Sequence, residues 1–153
     1  MLLLFLTLVV LYATIMRAPI FKLNIEEKDD IKQKGLIHFT NYYAADSILR
    51  EGLRGSISKM GIERYLGDLV WTYEYATKMQ IEKRRYRLLK TKKGRDNPQN
   101  FEVCLRLRGF SDSEIEKFRI RKGLIKFGPY GDRAIAYRGK LLSPKEIEII
   151  HKW

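Results

Sequence analysis

The stretch GLIHFTNYYAADSILREGL, residues 35–53, decides the fold of this chain. Its first part, LIHFT, alternates in the way of a strand, with His38 at the centre of the run. The residues that follow place apolar side chains at helical spacing, and Gly52 stands where a left-handed C-cap ends a helix. The pattern predicts a short strand that leads directly into a helix.

Further strands are predicted on both sides of a second, longer helix. DLVWT (68–72) and RAIAY (133–137) are short apolar runs, and FEVCLRLRGF (101–110) alternates most clearly, with Cys104 as a small strand residue. The longer helix is predicted over 73–90. Strands and helices follow one another without a regular βαβ order, which predicts the α+β class.

Two details of the helices are also predicted. One stripe of the helix over 73–90 is expected to carry Tyr75, Met79, Glu82, Tyr86 and Leu89. A capping box near the end of the chain, with Ser143 as N-cap and Glu146 at the third helical position, predicts a short terminal helix, EIEIIHKW.

Length and charge limit the classes of protein that this chain can belong to. Its 153 residues suit one domain, and 30 Lys and Arg against 18 Asp and Glu give a formal net charge of +12. A surplus of that size attracts polyanions such as nucleic acid, anionic lipid or a diphosphate. The single cysteine, Cys104, excludes an intrachain disulfide and is typical of a reducing compartment.

The first residues, MLLLFLTLVVLYATIM, contain no charged side chain. An uncleaved membrane anchor over 1–17, a signal peptide and a buried core helix are all consistent with them, and the weak cleavage signals favour the anchor. Basic residues follow this segment, so the positive-inside rule predicts a single-pass membrane protein with its C-terminal domain on the cytoplasmic side. Residues 18–34 are predicted to be a charged linker and residues 35–153 the α+β domain.

Few residues have the spacing of known reaction centres. The two histidines and one cysteine do not pair at metal-ligand spacing, so no metal site is predicted. His38 stands out because its strand ends at Thr40, just before a helix. Taken alone, a histidine there is usually satisfied by a backbone carbonyl, which is the structural alternative to a functional role.

The order of these segments resembles the ADP-ribosyltransferase-like family. The resemblance lies in IHFT, then IL-x2-GL, then LVWT-x3-A, and it covers mainly residues 35–80. Diphtheria-type toxins, the PARP enzymes and RNA 2′-phosphotransferases are variations on this pattern. The resemblance implies an α+β fold of split antiparallel sheets flanked by short helices, here preceded by the N-terminal apolar helix, and it implies NAD as the bound nucleotide.

The resemblance also implies roles for individual residues. His38 would be catalytic and would hydrogen-bond the ribose hydroxyls of NAD, supported by Thr40. Trp71 would stack on the nicotinamide ring, and Thr72 would pack beneath the cleft or bond the ribose. In this family a late glutamate usually stabilises the developing oxocarbenium ion. The matching stretch here, GDRAIAY, has no glutamate, so that Asp132 is the candidate for the acidic role.

Three functions therefore remain open. The first is an NAD-dependent ADP-ribosyltransferase-like enzyme, membrane-tethered, a toxin or defence effector that modifies protein or nucleic acid. The second is an RNA 2′-phosphotransferase-like enzyme, in which Arg133 or Arg138 would face a phosphate. The third is a non-catalytic, membrane-associated module that binds polyanions.

The third function would use the basic tract KRRYRLLKTKKGR, residues 83–95. It holds eight Lys and Arg without an acidic residue, and the interleaved Tyr86 could stack a base. A solvated helix face is the structural alternative. The residues predicted to bind nucleic acid, anionic lipid or phosphate are Arg84, Arg85, Arg87, Lys90, Lys92, Lys93 and, beyond the tract, Arg133.

Overall fold

A computed structural model describes residues 1–8, 20–57, 66–121 and 134–153. Its helices are α1 (residues 2–8), α2 (Ile25–Lys34), α3 (Tyr42–Glu51), α4 (Lys78–Leu89), α5 (Lys92–Asp96) and α6 (Asp112–Ile115), with a 3-10 helix at Pro98–Phe101. Its strands are β1 (Ile20–Lys22), β2 (Leu36–Thr40), β3 (Leu53–Arg54), β4 (Ser56–Ile57), β5 (Asp68–Glu74), β6 (Val103–Arg108), β7 (Phe118–Arg121), β8 (Ala134–Arg138), β9 (Leu141–Leu142) and β10 (Glu146–Lys152).

One antiparallel sheet organises the domain. Its strands follow the order β1-β7-β8-β5-β2-β6-β10, β4 adds to β5, and β3 and β9 form a separate small pair. All of these pairings are antiparallel, and the helices between them are short. The α+β class with antiparallel sheets and short helices is confirmed.

The two faces of the sheet bury different apolar clusters, because successive side chains of a strand point to opposite sides. The larger cluster lies under α2 and α3 and includes Ile31, Leu36, Ala45, Leu105, Leu107, Ile120 and Ile135. The smaller cluster lies under α4 and comprises Ile37, Phe39, Ile81, Phe101 and Cys104. Cys104 is thus a buried strand residue, as predicted, and burial raises the pKa of its thiol to about 12.

The strand and helix predicted over 36–51 are both present. Asn41 caps α3 by accepting a hydrogen bond from the backbone N–H of Ala44 at 2.7 Å. The helix ends at Gly52, where φ is +83° and an added Cβ would lie 2.6 Å from the carbonyl oxygen of Leu142. Only glycine suits both constraints, so the direction of the chain after α3 depends on this residue.

The prediction of a membrane anchor over 1–17 is wrong. No helix in the described ranges, 1–8, 20–57, 66–121 and 134–153, is long and apolar enough to cross a membrane. The single-pass topology, and the cytoplasmic side assigned through it, are corrected accordingly.

The charged segment over 18–34 is also not a linker where it is described. Residues 20–22 form β1, which pairs with β7, and α2 buries Ile31 against the larger cluster. A capping box starts α2, with Asn24 accepting from the N–H of Glu27 at 2.8 Å. One buried isoleucine and Leu23 hold an otherwise charged helix on the sheet.

The predicted terminal helix is a strand instead. β10 runs antiparallel to β6 over Glu146–Lys152, with an irregular register between Ile149 and His151. The stretch EIEI alternates with period two, and the partner strand β6 offers a buried edge. This tertiary pairing outweighs the local capping signal at Ser143.

The second helix is shorter than predicted and turns a different face inward. α4 begins after Thr77, whose side chain caps it, and it buries Ile81 and Arg84. On the expected stripe, Met79 and Tyr86 are 63% and 62% exposed. The first residues predicted as helix belong to β5, which shifts the start of the helix and hence its inward face.

Candidate functional site

The strand β2 has two neighbours, and the sheet opens on one side of it. Toward β5 the register contains only the pairs Leu36–Glu74 and Ile37–Tyr73. Beyond them the two strands separate, and the ring of His38 bridges the gap: its Nδ1 lies 2.8 Å from the carbonyl oxygen of Trp71. We refer to this place, between residues 38–40 of β2 and 71–72 of β5, as the β2–β5 opening.

The hydrogen bond determines the tautomer of His38. A carbonyl oxygen can only accept, so Nδ1 carries the proton, and Nε2 of the neutral ring is left as an acceptor. Burial lowers the pKa of His38, and the positive charge of Lys93 lowers it further, while the Trp71 carbonyl acts in the opposite direction. The ring is therefore neutral at pH 7. His38 as a residue is partly exposed to solvent.

His38 and Trp71 meet through the backbone of Trp71 and not through its ring. Since Ile37 pairs with Tyr73, the alternation along β2 and β5 sends the Cβ atoms of His38 and Trp71 to opposite sides of the sheet. The indole instead carries the guanidinium of Arg121, with Cζ at 4.5 Å from the ring centroid. A nicotinamide ring would have to share or displace that contact.

The two threonines of the predicted site are buried. Thr72 is fully buried, and its Oγ1 donates to the carbonyl oxygen of Ile135 at 2.8 Å. It therefore ties β5 to β8. Thr40 is 6% exposed at the end of β2. Its place beside His38 on the same strand suits a supporting role.

The acidic candidate and one phosphate-facing candidate lie outside the described residues. Asp132 and Arg133 both belong to the stretch over 122–133, about which the structure gives no information. Arg138, at the end of β8, is described and exposed.

The basic tract divides into an inward and an outward group. Arg84 is buried and donates through Nη1 to the carbonyl oxygen of Glu74 at 2.9 Å. Arg85 donates through Nε to the carbonyl oxygen of Phe101 at 2.7 Å, and its guanidinium lies 4.4 Å from the ring centroid of Trp153. These two guanidinium groups hold α4 against the sheet.

The outward group is exposed to solvent. Its predicted members are Arg87, Lys90, Lys92 and Lys93. Lys90 places Nζ at 4.0 Å from the ring centroid of Tyr86. The sequence contains no sign that the charge of Lys93 acts on His38. In the fold, α5 contacts the 3-10 helix at Pro98–Phe101, and that helix contacts β2.

Two cavities lie away from the opening. The larger, of about 330 Å³, is at the beginning of β5 and the end of β8. The smaller, of about 110 Å³, lies beside α2. Neither is lined by His38 or Trp71. No protein-family model, curated protein or solved structure matches this chain.

Proposed function

We propose that this chain is an NAD-binding, ADP-ribosyltransferase-like enzyme whose site is the β2–β5 opening. The observation that carries the proposal is the neutral, partly exposed imidazole of His38, fixed by its Nδ1–H bond to the Trp71 carbonyl with Nε2 left as an acceptor. The strands β2 and β5, which contain the two halves of the family resemblance, are neighbours and separate at that histidine.

The residues at the opening suit the polar parts of NAD. A ribose hydroxyl can donate a hydrogen bond, and the neutral imidazole can accept it at Nε2. An imidazolium carries a proton on both nitrogens and has no acceptor. The diphosphate of NAD requires positive charge, and the exposed Lys93, whose charge lowers the pKa of His38, is our candidate to supply it. The opening therefore has an acceptor for sugar and a cation for phosphate.

Bound NAD would supply the nicotinamide–ribose bond that such transferases break. In the proposed reaction His38 orients the ribose, and the backbone of β5 keeps the imidazole in place. Asp132 remains our candidate for the carboxylate that faces the positive charge developing on the ribose. Stacking of nicotinamide on Trp71 is left out of the proposal, because the side chains of His38 and Trp71 lie on opposite sides of the sheet and Arg121 contacts the indole.

Calorimetric titration of the full chain with NAD, to about 5 mM, tests this proposal. The variant His38→Asn keeps a donor for the Trp71 carbonyl but has no group in the place of Nε2. We expect it to weaken NAD binding about tenfold or more, because the hydrogen bond from the ribose hydroxyl to Nε2 is lost.

The other histidine provides the matched control. His151 bonds Glu82 through Nε2 at 2.8 Å, on β10 and away from the opening. His151→Asn should leave the affinity for NAD within about twofold of wild type. A wild-type chain that binds no NAD, or a His38→Asn variant that binds it as tightly as wild type, contradicts the proposal.

A second candidate function is polyanion binding through the outward group of the basic tract. Lys90, Lys92 and Lys93 are exposed, and the ion pairs of the described residues do not include them. Tyr86 is 62% exposed beside them, which suits a base of single-stranded nucleic acid.

Binding of a fluorescent single-stranded RNA at several salt concentrations separates the two functions. Replacing Lys90, Lys92 and Lys93 by Gln should reduce the slope of log K against log salt by roughly 2, at about 0.7 per phosphate contact. The matched control replaces Lys78, Lys145 and Lys152 by Gln, which removes the same charge elsewhere. Equal losses in the two triple variants would show that the net charge alone binds RNA, and His38→Asn should have no effect in this assay.

A further inference from the structure

The larger cavity is a second candidate site, separate from the β2–β5 opening. It is an open depression of about 330 Å³ at the end of the sheet where β5 begins and β8 ends. Its lining is formed by Leu66, Asp68, Lys117, Arg119, Arg138, Gly139 and Lys140. None of these residues belongs to the site proposed above for NAD, so the inference does not rest on that proposal.

Backbone hydrogen bonds build the floor of this cavity. The N–H of Arg138 donates to the carbonyl oxygen of Lys117 at 3.1 Å, and that of Gly139 donates to the carbonyl oxygen of Asp68 at 3.0 Å. An added Cβ at Gly139 would lie 2.6 Å from Cε1 of Tyr137. The glycine therefore lets the turn after β8 approach the sheet closely, and three chain segments are held at one place.

The side chains around this floor are mainly cationic. Four of the seven lining residues are Lys or Arg, and one is a carboxylate, Asp68. Arg119 is anchored, since its Nη1 donates to the carbonyl oxygens of Glu116 and Phe118, both at 2.7 Å. Lys117, Arg138 and Lys140 are exposed.

The cations around this cavity differ from other lysines of the described residues in their ion pairing. In the part of the chain that the structure describes, no ion pair involves Lys117, Arg119, Arg138 or Lys140, nor does one involve Asp68. In the same described ranges, Lys28 and Lys32 are paired with the carboxylates of Glu116 and Asp112. The cavity thus gathers four cationic side chains and one carboxylate around a preformed floor.

We propose that this cavity binds the phosphate group of a nucleotide. The cations would hold the phosphate oxygens by charge-assisted hydrogen bonds, with Arg138 able to bind two of them at once. The carboxylate of Asp68 accepts hydrogen bonds, so it favours a ligand that also carries hydroxyl or amino donors. A nucleotide has more of these donors than inorganic phosphate has at neutral pH. A volume of about 330 Å³ has room for the phosphate and part of a nucleoside.

Titrations of the full chain with AMP, adenosine, inorganic phosphate and a short single-stranded oligonucleotide test this inference, with chemical-shift changes or heat as the readout. We expect AMP to bind and to bind more tightly than inorganic phosphate, and adenosine to bind at least tenfold more weakly, because its phosphate is missing. If the oligonucleotide binds more tightly than AMP, the phosphate belongs to a polynucleotide. If the two affinities are equal, the ligand is a free nucleotide.

The double variant Arg138→Gln/Lys140→Gln should weaken AMP binding about tenfold or more. Both side chains are exposed, so we expect its unfolding transition to match that of wild type. The control Lys78→Gln/Lys83→Gln removes the same charge from α4 and should leave the affinity within about twofold. Adenosine binding as tightly as AMP, an unchanged affinity in Arg138→Gln/Lys140→Gln, or an equal loss in the control overturns the proposal.

Discussion

The strand β2 has two edges that differ sharply. Toward β6 it pairs along its whole length, from Leu36–Leu107 to Thr40–Val103. Toward β5 it pairs at two residues only, and then the ring of His38 takes over. One short strand therefore provides both a rigid, buried support and a partly exposed side chain at a gap. This is the arrangement that a precise site requires, because the support determines where the reactive group stands.

On its edge away from β2, β5 pairs with β8. Five consecutive residues of β5, Leu69–Tyr73, pair with β8, and the buried hydroxyl of Thr72 adds a hydrogen bond to the same strand. A strand can pair at both edges, as Tyr73 of β5 does with Ile37 and Ala134. The comparison teaches that β8 keeps β5 in the sheet over the residues where its pairing with β2 has ended.

Breaking the closed edge should have the largest effect. Leu105 lies opposite His38 on β6 and is fully buried. Leu105→Ala should lower the free energy of unfolding by about 3 kcal/mol, from lost burial and the cavity left behind. Urea unfolding measures this. Leu141→Ala, at a side chain that is 47% exposed, is the control and should cost about 0.5 kcal/mol or less; similar losses in both would mean that the closed edge is not the support we describe.

Breaking the open edge should cost less. His38→Ala removes the donor to the Trp71 carbonyl and should lower the free energy of unfolding by about 1–2 kcal/mol. His38→Asn, which can still donate, should lose a smaller part of it. The same urea experiment serves, and a His38→Ala variant as stable as wild type would show that the gap needs no bridge.

The link between β5 and β8 should have an effect of about 1 kcal/mol. Thr72→Val keeps the shape of the side chain but removes the hydrogen bond to the carbonyl oxygen of Ile135. We expect faster amide exchange in β8 together with the loss of stability. Unchanged amide exchange and stability would mean that backbone pairing alone holds β5 on β8.

The smallest effect should appear as a pH dependence of stability. The folded pKa of His38 lies below its ordinary value of 6.5, chiefly through burial, so the unfolded chain binds a proton more readily. The contribution of His38 is complete above pH 6.5 and is lost as the pH falls through that value toward the folded pKa. Wild type should therefore lose more stability than His38→Asn between about pH 7.5 and about pH 5.5; His151 is present in both and cancels, and parallel pH profiles would refute the shift.

Local signals along the chain predicted the elements around the site correctly. LIHFT and the helix that ends at Gly52 lie where their local patterns predict them. The alternating strand predicted over 101–110 is present as the shorter β6, Val103–Arg108. The last strand was mistaken for a helix because the capping box at Ser143 is a local feature, whereas β10 is selected by the free edge of β6. The segment over 18–34 was mistaken for a linker because most of its residues are charged. The helix α2 needs only a few buried side chains, such as Ile31, to pack on the sheet.

The candidate site was predicted only in part. His38 at the end of a strand could be found from its position, but its partner, the carbonyl of Trp71, is 33 residues away in the chain and depends on how β5 pairs. The prediction that the indole faces the same cleft did not allow for the register of β2 with β5. In the basic tract, the spacing could not show that Arg84 and Arg85 would bond backbone carbonyls while the lysines stay outside.

The sequence by itself determined the period of β2 and β6, the end of α3 at Gly52, and the surplus of positive charge. These depend on residues close together in the chain, or on composition alone. The tertiary structure decided which edge of β2 is fully paired and to which side the Trp71 ring points. It also decided which cations bond backbone carbonyls, as Arg84 and Arg85 do, and which remain exposed. Such choices depend on the competition between strands for partners, which no local stretch of residues contains.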